Sequence, residues 1–394
     1  MFLSILSLLS IKEDNMGDDF LMRICFLASA SSIHTVRWVN AMVERGHDVH
    51  LITMHKPHPH KDKIDGRVSV YMLPFSSPIG YYLNVFRVRK LLKQIKPDIL
   101  NTHYASGYGT LSRLVKFEPT LLSVWGSDVF DFPYQSKMNK KILTKNLNAA
   151  TQIASTSLVM KKQIEKFVSP RLPIEITPFG VDMNLFKTSQ IKNEQSEQIT
   201  IGIVKSLEEC YGVEYLIRAT AVLIKKLERN QLDKEAKKVR LLIVGEGSLR
   251  DHLQNIAREL GISDITTFIG AVPNTQVPYY LNKMDIFCLP SLQESFGVAA
   301  VEASACELPL VVSNVGGLPE VVKDGETGFI VESKNIEKLA DRLYDLVVNP
   351  ELRSKMGKNG RRFVSLFYNW EDNVTKMESV YNNLVNRKRN NGLS

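Results

Sequence analysis

Cysteine is scarce in this sequence: four in 394 residues (Cys25, Cys210, Cys288 and Cys306), none at a CxxC or other metal-ligand spacing. That argues against a zinc ribbon and against a disulfide framework, and it fits a reducing cytoplasmic setting. Cys25 and Cys288 fall inside apolar strand-like runs, where a thiol packs as a small hydrophobe. Long apolar runs are also missing. No segment reaches the roughly 18 residues needed to span a bilayer. The longest candidate, Met1–Ile11, is broken by serines and followed by Lys12, Glu13 and Asp14. It lacks the basic start and the small-residue cleavage site of a signal peptide. With Met16 and Met22 just downstream, residues 1–21 read as a mis-called start or a loose extension. There is no fixed-period repeat and no low-complexity tract, and the 44% hydrophobic and 23% charged fractions are those of a globular protein.

What is present is uneven charge. Between residues 80 and 180, fifteen Lys and Arg face six Asp and Glu, a local +9 in a chain whose total is +8. The excess therefore belongs to one region. Within it, Leu83–Lys96 (LNVFRVRKLLKQIK) sets Val85, Val88, Leu91, Leu92 and Ile95 on one side of a helix. Arg87, Arg89, Lys90 and Lys93 lie elsewhere on it, and Tyr81, Tyr82 and Phe86 gather at one end. Two readings stand for this helix. It packs its stripe on a sheet like any domain helix, or it docks transiently on an anionic membrane surface, the inner face of the cell membrane. No RNA- or DNA-binding motif accompanies the charge, so nucleic acid is not the expected partner.

A chain of 394 residues exceeds what one core usually serves, which predicts two domains. Strand-like runs alternate with helical ones from Arg23–Ser29 through Val49–Met54, Val68–Leu73, Asp98–Thr102, Leu121–Val124 and Gln152–Ser155. That alternation implies right-handed crossovers and a parallel sheet. After Pro178–Asp182 (PFGVD), the polar stretch Lys187–Gln198 is the best linker. A second alternation follows from Ile199–Val204 to Phe329–Val331, and the chain is mostly helical from Ile336. The division expected is an extension over 1–21, one doubly wound α/β domain over 22–187, and a second over 188–370. Residues 371–394 form a C-terminal helix, its return to the first domain left open, with a frayed tail. Two such domains in series imply a cleft between them.

The most informative stretch is Pro290–Glu302 (PSLQESFGVAAVE). A strand ends at Pro290 and a helix opens near Phe296, so free amides of Phe296, Gly297 and Val298 point into the loop, where they can bind phosphate or a sugar hydroxyl. Glu294 lies in the turn and Glu302 about two helical turns on. Either carboxylate alone is explained as a helix cap or a surface residue. Gly245 and Gly247 follow a strand as GxG, but Arg250 takes the third glycine of a GxGxxG fingerprint, which argues against a nicotinamide dehydrogenase.

Glu294 and Glu302, with seven residues between them, match the motif of the family 4 nucleotide-sugar glycosyltransferases, and the resemblance runs from Arg23 over most of the chain. Four further segments match in order: His103–Gly109 (HYASGYG), Trp125–Val129 (WGSDV), PFGVD with Phe186, and Gly316–Val322 (GGLPEVV). The resemblance implies the GT-B architecture, two Rossmann-like doubly wound domains facing a central cleft, and a retaining enzyme with no cofactor and no metal. It implies a UDP- or GDP-sugar donor held by the second domain. Glu302 would hold the ribose hydroxyls; Glu294, Ser295 and the Phe296–Val298 amides would hold the sugar and diphosphate, with Gly245 and Gly247 in the nucleotide pocket. His103 and Asp128 would face the acceptor from the first domain, beside Glu294 as the catalytic set. His103 follows a strand at its carboxyl edge, which favours a site role over a merely structural one. The Gly-Ser-Asp turn of Asp128 is equally explained by turn chemistry.

The family supplies an Arg and a Lys to the diphosphate from the loop after the first strand of the second domain. Here Lys205 takes the Arg position as a point charge, and the Lys position falls on Cys210, or on Tyr211 under another placement of a one-residue insertion. A charge-assisted hydrogen bond is worth roughly 1.5–3 kcal/mol, so its absence weakens donor binding about ten- to 150-fold. The expected function is transfer of a sugar from a nucleotide donor to a lipid-linked or saccharide acceptor in cell-surface polysaccharide assembly. Two alternatives stand: a nucleotide-sugar epimerase, and a catalytically weak nucleotide-sugar-binding subunit suggested by Cys210.

Overall fold

The computed structural model describes residues 21–57, 63–170, 172–189 and 197–391. The extension expected over 1–21 lies outside these but for Leu21, as do most of the linker and the last three residues of the tail. Short strands of three to six residues, most of them alternating with helices, build two parallel sheets. The first contains β1 (Arg23–Leu27), β2 (Asp48–Thr53), β3 (Ser69–Met72), β4 (Ile99–His103), β5 (Thr120–Val124), β6 (Gln152–Ser155) and the short β7 (Ile174–Ile176). Its spatial order is β3-β2-β1-β4-β5-β6-β7. The second contains β8 (Ile199–Val204), β9 (Val239–Val244), β10 (Thr266–Gly270), β11 (Ile286–Leu289), β12 (Leu310–Ser313) and β13 (Gly328–Val331), in the order β10-β9-β8-β11-β12-β13.

β1, β4, β5 and β6 are buried almost throughout, as are β11 and β12. That is the pattern of strands covered by helices on both faces. In each sheet the order reverses beside the first strand, between β1 and β4 and between β8 and β11. Loops leaving the two strands of such a pair diverge, one over each face, and open a crevice at their carboxyl ends.

The helix Pro350–Phe367 closes the second lobe, and the chain then crosses back. Val181 N–H donates to Tyr368 O and Trp370 N–H to Val181 O, so the outgoing and returning connections run side by side. The last helix, Trp370–Asn391, packs on the first lobe against the helix Ile33–Glu44 and β4. Its Tyr381 is fully buried and accepts from Asn101 Nδ2. At the seam, His34 stacks on Phe179 at 3.9 Å, and Phe179 meets Phe296, which meets Tyr368. The hydrophobic core is thus continuous between the lobes at the crossing.

Candidate active site

Both switch points face the crevice, and the charged residues leave their strands there. Lys205 follows β8 directly, and Glu294 lies in the loop after β11. Lys205 Nζ donates to Glu294 Oε2 at 2.7 Å, with side chains only 16% and 9% exposed. The ammonium also sits 4.3 Å from the centre of the Tyr211 ring. The Glu294 loop is fixed by its backbone. Leu292 and Gln293 donate to Cys210 O, Gly317 donates to Glu294 O, and Gly316, at φ +51°, lies so close to the Glu294 carbonyl that a Cβ has no room. Gly245 and Gly247 brace the opposite wall, packed on the backbone of Lys205 and Leu207.

The helix Val298–Ala305 starts at Gly297 with no side-chain cap and no acidic residue in its first turn. Its partial positive charge faces the loop that carries Glu294, Ser295 and Phe296. Glu302 lies within this helix and is buried. Burial pushes its carboxyl up to about 7, while the charges of Arg37 and Lys205 pull it back. Arg37 comes from the other lobe, on the helix Ile33–Glu44. It lies 4.0 Å over the Trp370 ring and donates to Gly180 O at 2.9 Å.

In the first lobe, His103 ends β4 and is buried. Its Nδ1 is 3.2 Å from Thr35 Oγ1, on the helix after β1, so the pair spans the switch point. Its Nε2 has no hydrogen-bond partner among the described residues. Burial and neighbouring His34 hold the imidazole down to about 3, so it is neutral at physiological pH. Asp128 is buried and taken up by backbone: Oδ2 accepts from Ala105 N–H at 2.8 Å, and Oδ1 from Gly126 and Trp125 N–H at 2.8 and 3.3 Å. It ties the loop after β4 to the loop after β5. Burial raises its carboxyl against those amide bonds.

The lobes touch across the site. Ser295 Oγ donates to Trp125 O, Ser157 Oγ donates to Ser295 O at 2.8 Å, and Gln293 Nε2 donates to Asp131 Oδ1 at 2.7 Å. Gly126, at φ +144°, leaves no room for a Cβ against Ser295. His103 packs on Trp125 at 4.3 Å, and Trp125 on Phe179.

The structure therefore gathers Lys205, Gly245, Gly247, Glu294, Ser295, Phe296, Gly297, Val298 and Glu302 around one side of the crevice, with His103 behind Trp125 on the other. Asp128 is held between the loops after β4 and β5. The four basic residues of the helix Val85–Ile95 lie apart from this site. Arg87, Lys90 and Lys93 are exposed, whereas Arg89 turns inward and donates to Leu114 O and Val115 O at the end of the helix Gly107–Val115. Sequence reasoning passed over Arg37, which lies in an unremarkable amphipathic helix, and the Gln293–Asp131 contact, whose partners meet only when both lobes are placed. Tyr211 carried a signal, beside Cys210 in the loop that departs from the family pattern.

Two family comparisons divide the chain along the same line. Residues 23–157 match the family described as glycosyl transferase 4-like, and residues 186–363 match glycosyl transferases group 1. Over 367 residues the chain is 24% identical to N-acetyl-alpha-D-glucosaminyl L-malate synthase of Bacillus anthracis, covering 89% of this chain and 92% of that one. Sucrose-phosphate synthase from Thermosynechococcus elongatus superposes with a TM-score of 0.77 at 20% identity, over 92% of this chain and 98% of the other. Anabaena Alr3699/HepE, in complex with UDP and glucose, superposes with a TM-score of 0.75 at 18% identity, over 91% and 99%. The fold is GT-B, and the two glycosyltransferase family models together match most of the chain.

Proposed function

We propose that this glycosyltransferase moves a sugar, with retention, from a nucleoside-diphosphate sugar to a lipid-linked or saccharide acceptor in cell-surface polysaccharide assembly, working against an anionic membrane face. The observation that carries the donor reading is the Lys205–Glu294 ion pair, set beside buried Glu302 and an uncapped helix start in one crevice. A pair so nearly out of water is costly to hold without a further partner. A diphosphate gives Lys205 an anion, and the released Glu294 carboxylate accepts from a sugar hydroxyl. Glu302 accepts from the ribose diol.

As the C1–O bond to the diphosphate breaks, negative charge grows on the departing phosphate. Lys205 and the amides of Phe296–Val298 stabilise it without reorganising. The acceptor oxygen bonds C1 from the same face and its proton passes to the departing phosphate, which preserves configuration. Neutral His103 supplies a hydrogen bond rather than a charge. The Anabaena complex puts UDP and UDP-glucose first in a thermal-shift screen that also takes GDP and GDP-mannose. One nucleotide series should raise the melting temperature with concentration, and Glu302→Gln should reduce the shift without abolishing it. No shift from any of them sinks the donor reading.

Cys210 favours a second reading, a binding subunit with little turnover. On one placement of the insertion its thiol stands where the family resemblance puts a cation, and burial raises it, so it supplies no charge of either sign. Cys210→Lys separates the two: about tenfold tighter nucleotide binding with matching turnover marks an enzyme with a weakened donor site. Tighter binding with no turnover marks the subunit.

For membrane docking, support comes from the side chains beside the basic helix. Phe75, Ile79, Tyr82, Leu83 and Phe86 are all about half exposed or more. They lie next to Tyr81, whose ring packs on Gly107 and Tyr108 just past His103. An apolar cluster rimmed by Arg87, Lys90 and Lys93, on the acceptor side of the crevice, is what a lipid-linked acceptor at a bilayer needs.

A further inference from the structure

We infer that Glu320 is the latch that holds the two lobes closed, a positioning residue of the second lobe whose carboxylate completes a helix of the first. The helix Leu158–Glu165 begins at Ser157 and has no acidic residue in its first turn. Its opening amides are nonetheless satisfied. Ser157 Oγ accepts from Met160 N–H, and Ser157 O from Lys161 N–H. The other two are filled from across the cleft: Glu320 Oε2 accepts from Leu158 N–H at 2.8 Å and Oε1 from Val159 N–H at 2.7 Å. The anion that complements this helix's positive end is thus supplied by the opposite lobe. When the lobes part, both amides and the carboxylate return to water, so the contact exists only in the closed form.

Glu320 is also wired to the donor loop. It sits in the short helix Leu318–Val321, directly after Gly316 and Gly317, whose backbone packs on Glu294 and Phe296. Gly317 N–H donates to Glu294 O, and Tyr368 OH, at the crossing between lobes, donates to Glu320 O. Ser157 itself donates to Ser295 O. A ligand that orders the 294–298 loop therefore orders the segment that carries the latch, and closure brings Trp125 and His103 onto that loop. The consequence for turnover rests on the donor reading above; the consequence for lobe geometry does not.

The test uses the full chain with Glu320→Ala, Glu320→Gln and Leu158→Pro. Proline removes the Leu158 N–H at the first helical position, where it is well tolerated, after a Ser157 whose extended backbone suits it. In Glu320→Ala, hydrogen exchange at Leu158 and Val159 should speed about tenfold and the small-angle scattering radius should grow, with and without UDP or GDP. Glu320→Gln should fall between, and Leu158→Pro should open the lobes while its helix persists. The Glu320→Ala/Leu158→Pro double variant should open no further than the stronger single one, because both changes remove one interaction. With whichever donor the screen finds, kcat should fall about tenfold while donor KM stays within about twofold. Unchanged exchange and scattering in Glu320→Ala, or additive single effects, would overturn the latch. A screen that finds no donor defeats the donor reading and leaves exchange and scattering to decide the latch.

Discussion

Asp128 and Glu294 are both carboxylates in loops at the carboxyl edges of their sheets, one in each lobe, yet their surroundings differ. Asp128 is surrounded by backbone amides of its own lobe. Glu294 instead meets a side-chain cation, Lys205. The first environment builds a wall; the second leaves a charge pair that a ligand can divide. The family resemblance marks both residues, each in its own segment, and what sets them apart in the structure is their partners.

Substitution should split that contrast most sharply. Glu294→Gln should cut turnover of the donor identified by the screen by about 10²–10³-fold, the usual cost of losing a polar group that acts on developing charge. Its melting temperature should stay near that of the parent, since Lys205 keeps Tyr211 beneath it. Asp128→Ala should do the reverse. It leaves the amides of Ala105, Trp125 and Gly126 buried without their acceptor, and denaturant unfolding should register a loss of about 2–4 kcal/mol. If Asp128→Ala unfolds like the parent but loses all turnover, the wall reading is wrong and the carboxylate acts on substrate.

A smaller effect separates Glu302 from both. Its carboxyl is raised from the usual 4.5 to about 7 by burial. Between those values the folded protein keeps a proton that the unfolded chain has released, so stability falls as pH rises through the window. Glu302→Gln should flatten that fall and come out about 1–3 kcal/mol more stable than the parent at pH 8, measured without ligand. Nucleotide binding should run the other way. A ribose diol favours the ionised carboxylate, so parent affinity should rise with pH to above 7 while that of the variant does not. Parallel pH profiles in the two proteins would remove Glu302 from the nucleotide pocket.

The two-lobed fold was legible because its strands are short apolar runs set between amphipathic helices, and that alternation admits few topologies. The grouping of Lys205, Glu294 and Glu302 was legible for a related reason: the first two come from loops, and the third from the helix that follows, at one switch point of one sheet. What joins the lobes was not. Arg37 reaches the field of Glu302 from a helix with ordinary amphipathic spacing, and Glu320 finds Leu158 and Val159 some 160 residues away in sequence. Such contacts depend on the angle between lobes, which no local periodicity encodes. The basic helix was half legible: its buried stripe is Val88, Leu91, Leu92 and Ile95, but nothing in the spacing showed that Arg89 would turn inward.

That last difference yields the finest distinction between the outer surfaces of the lobes. The first lobe carries the +9 window and the exposed Phe75, Ile79, Tyr82, Leu83 and Phe86, whereas the second presents mixed charge along 225–238. If docking is electrostatic and apolar together, each basic residue near the surface is worth about 1 kcal/mol. Changing Arg87, Lys90 and Lys93 together to Gln should then lower flotation with anionic liposomes at least tenfold, roughly the effect of raised salt. Ile79→Ser with Phe86→Ser should lower it at every salt concentration, since what it removes is apolar. Arg89→Gln should leave flotation nearly unchanged and instead destabilise the end of the helix Gly107–Val115, whose carbonyls it holds. Flotation indifferent to the triple change would mean that this helix only packs on its sheet, and that the two lobes differ in charge without differing in what they bind.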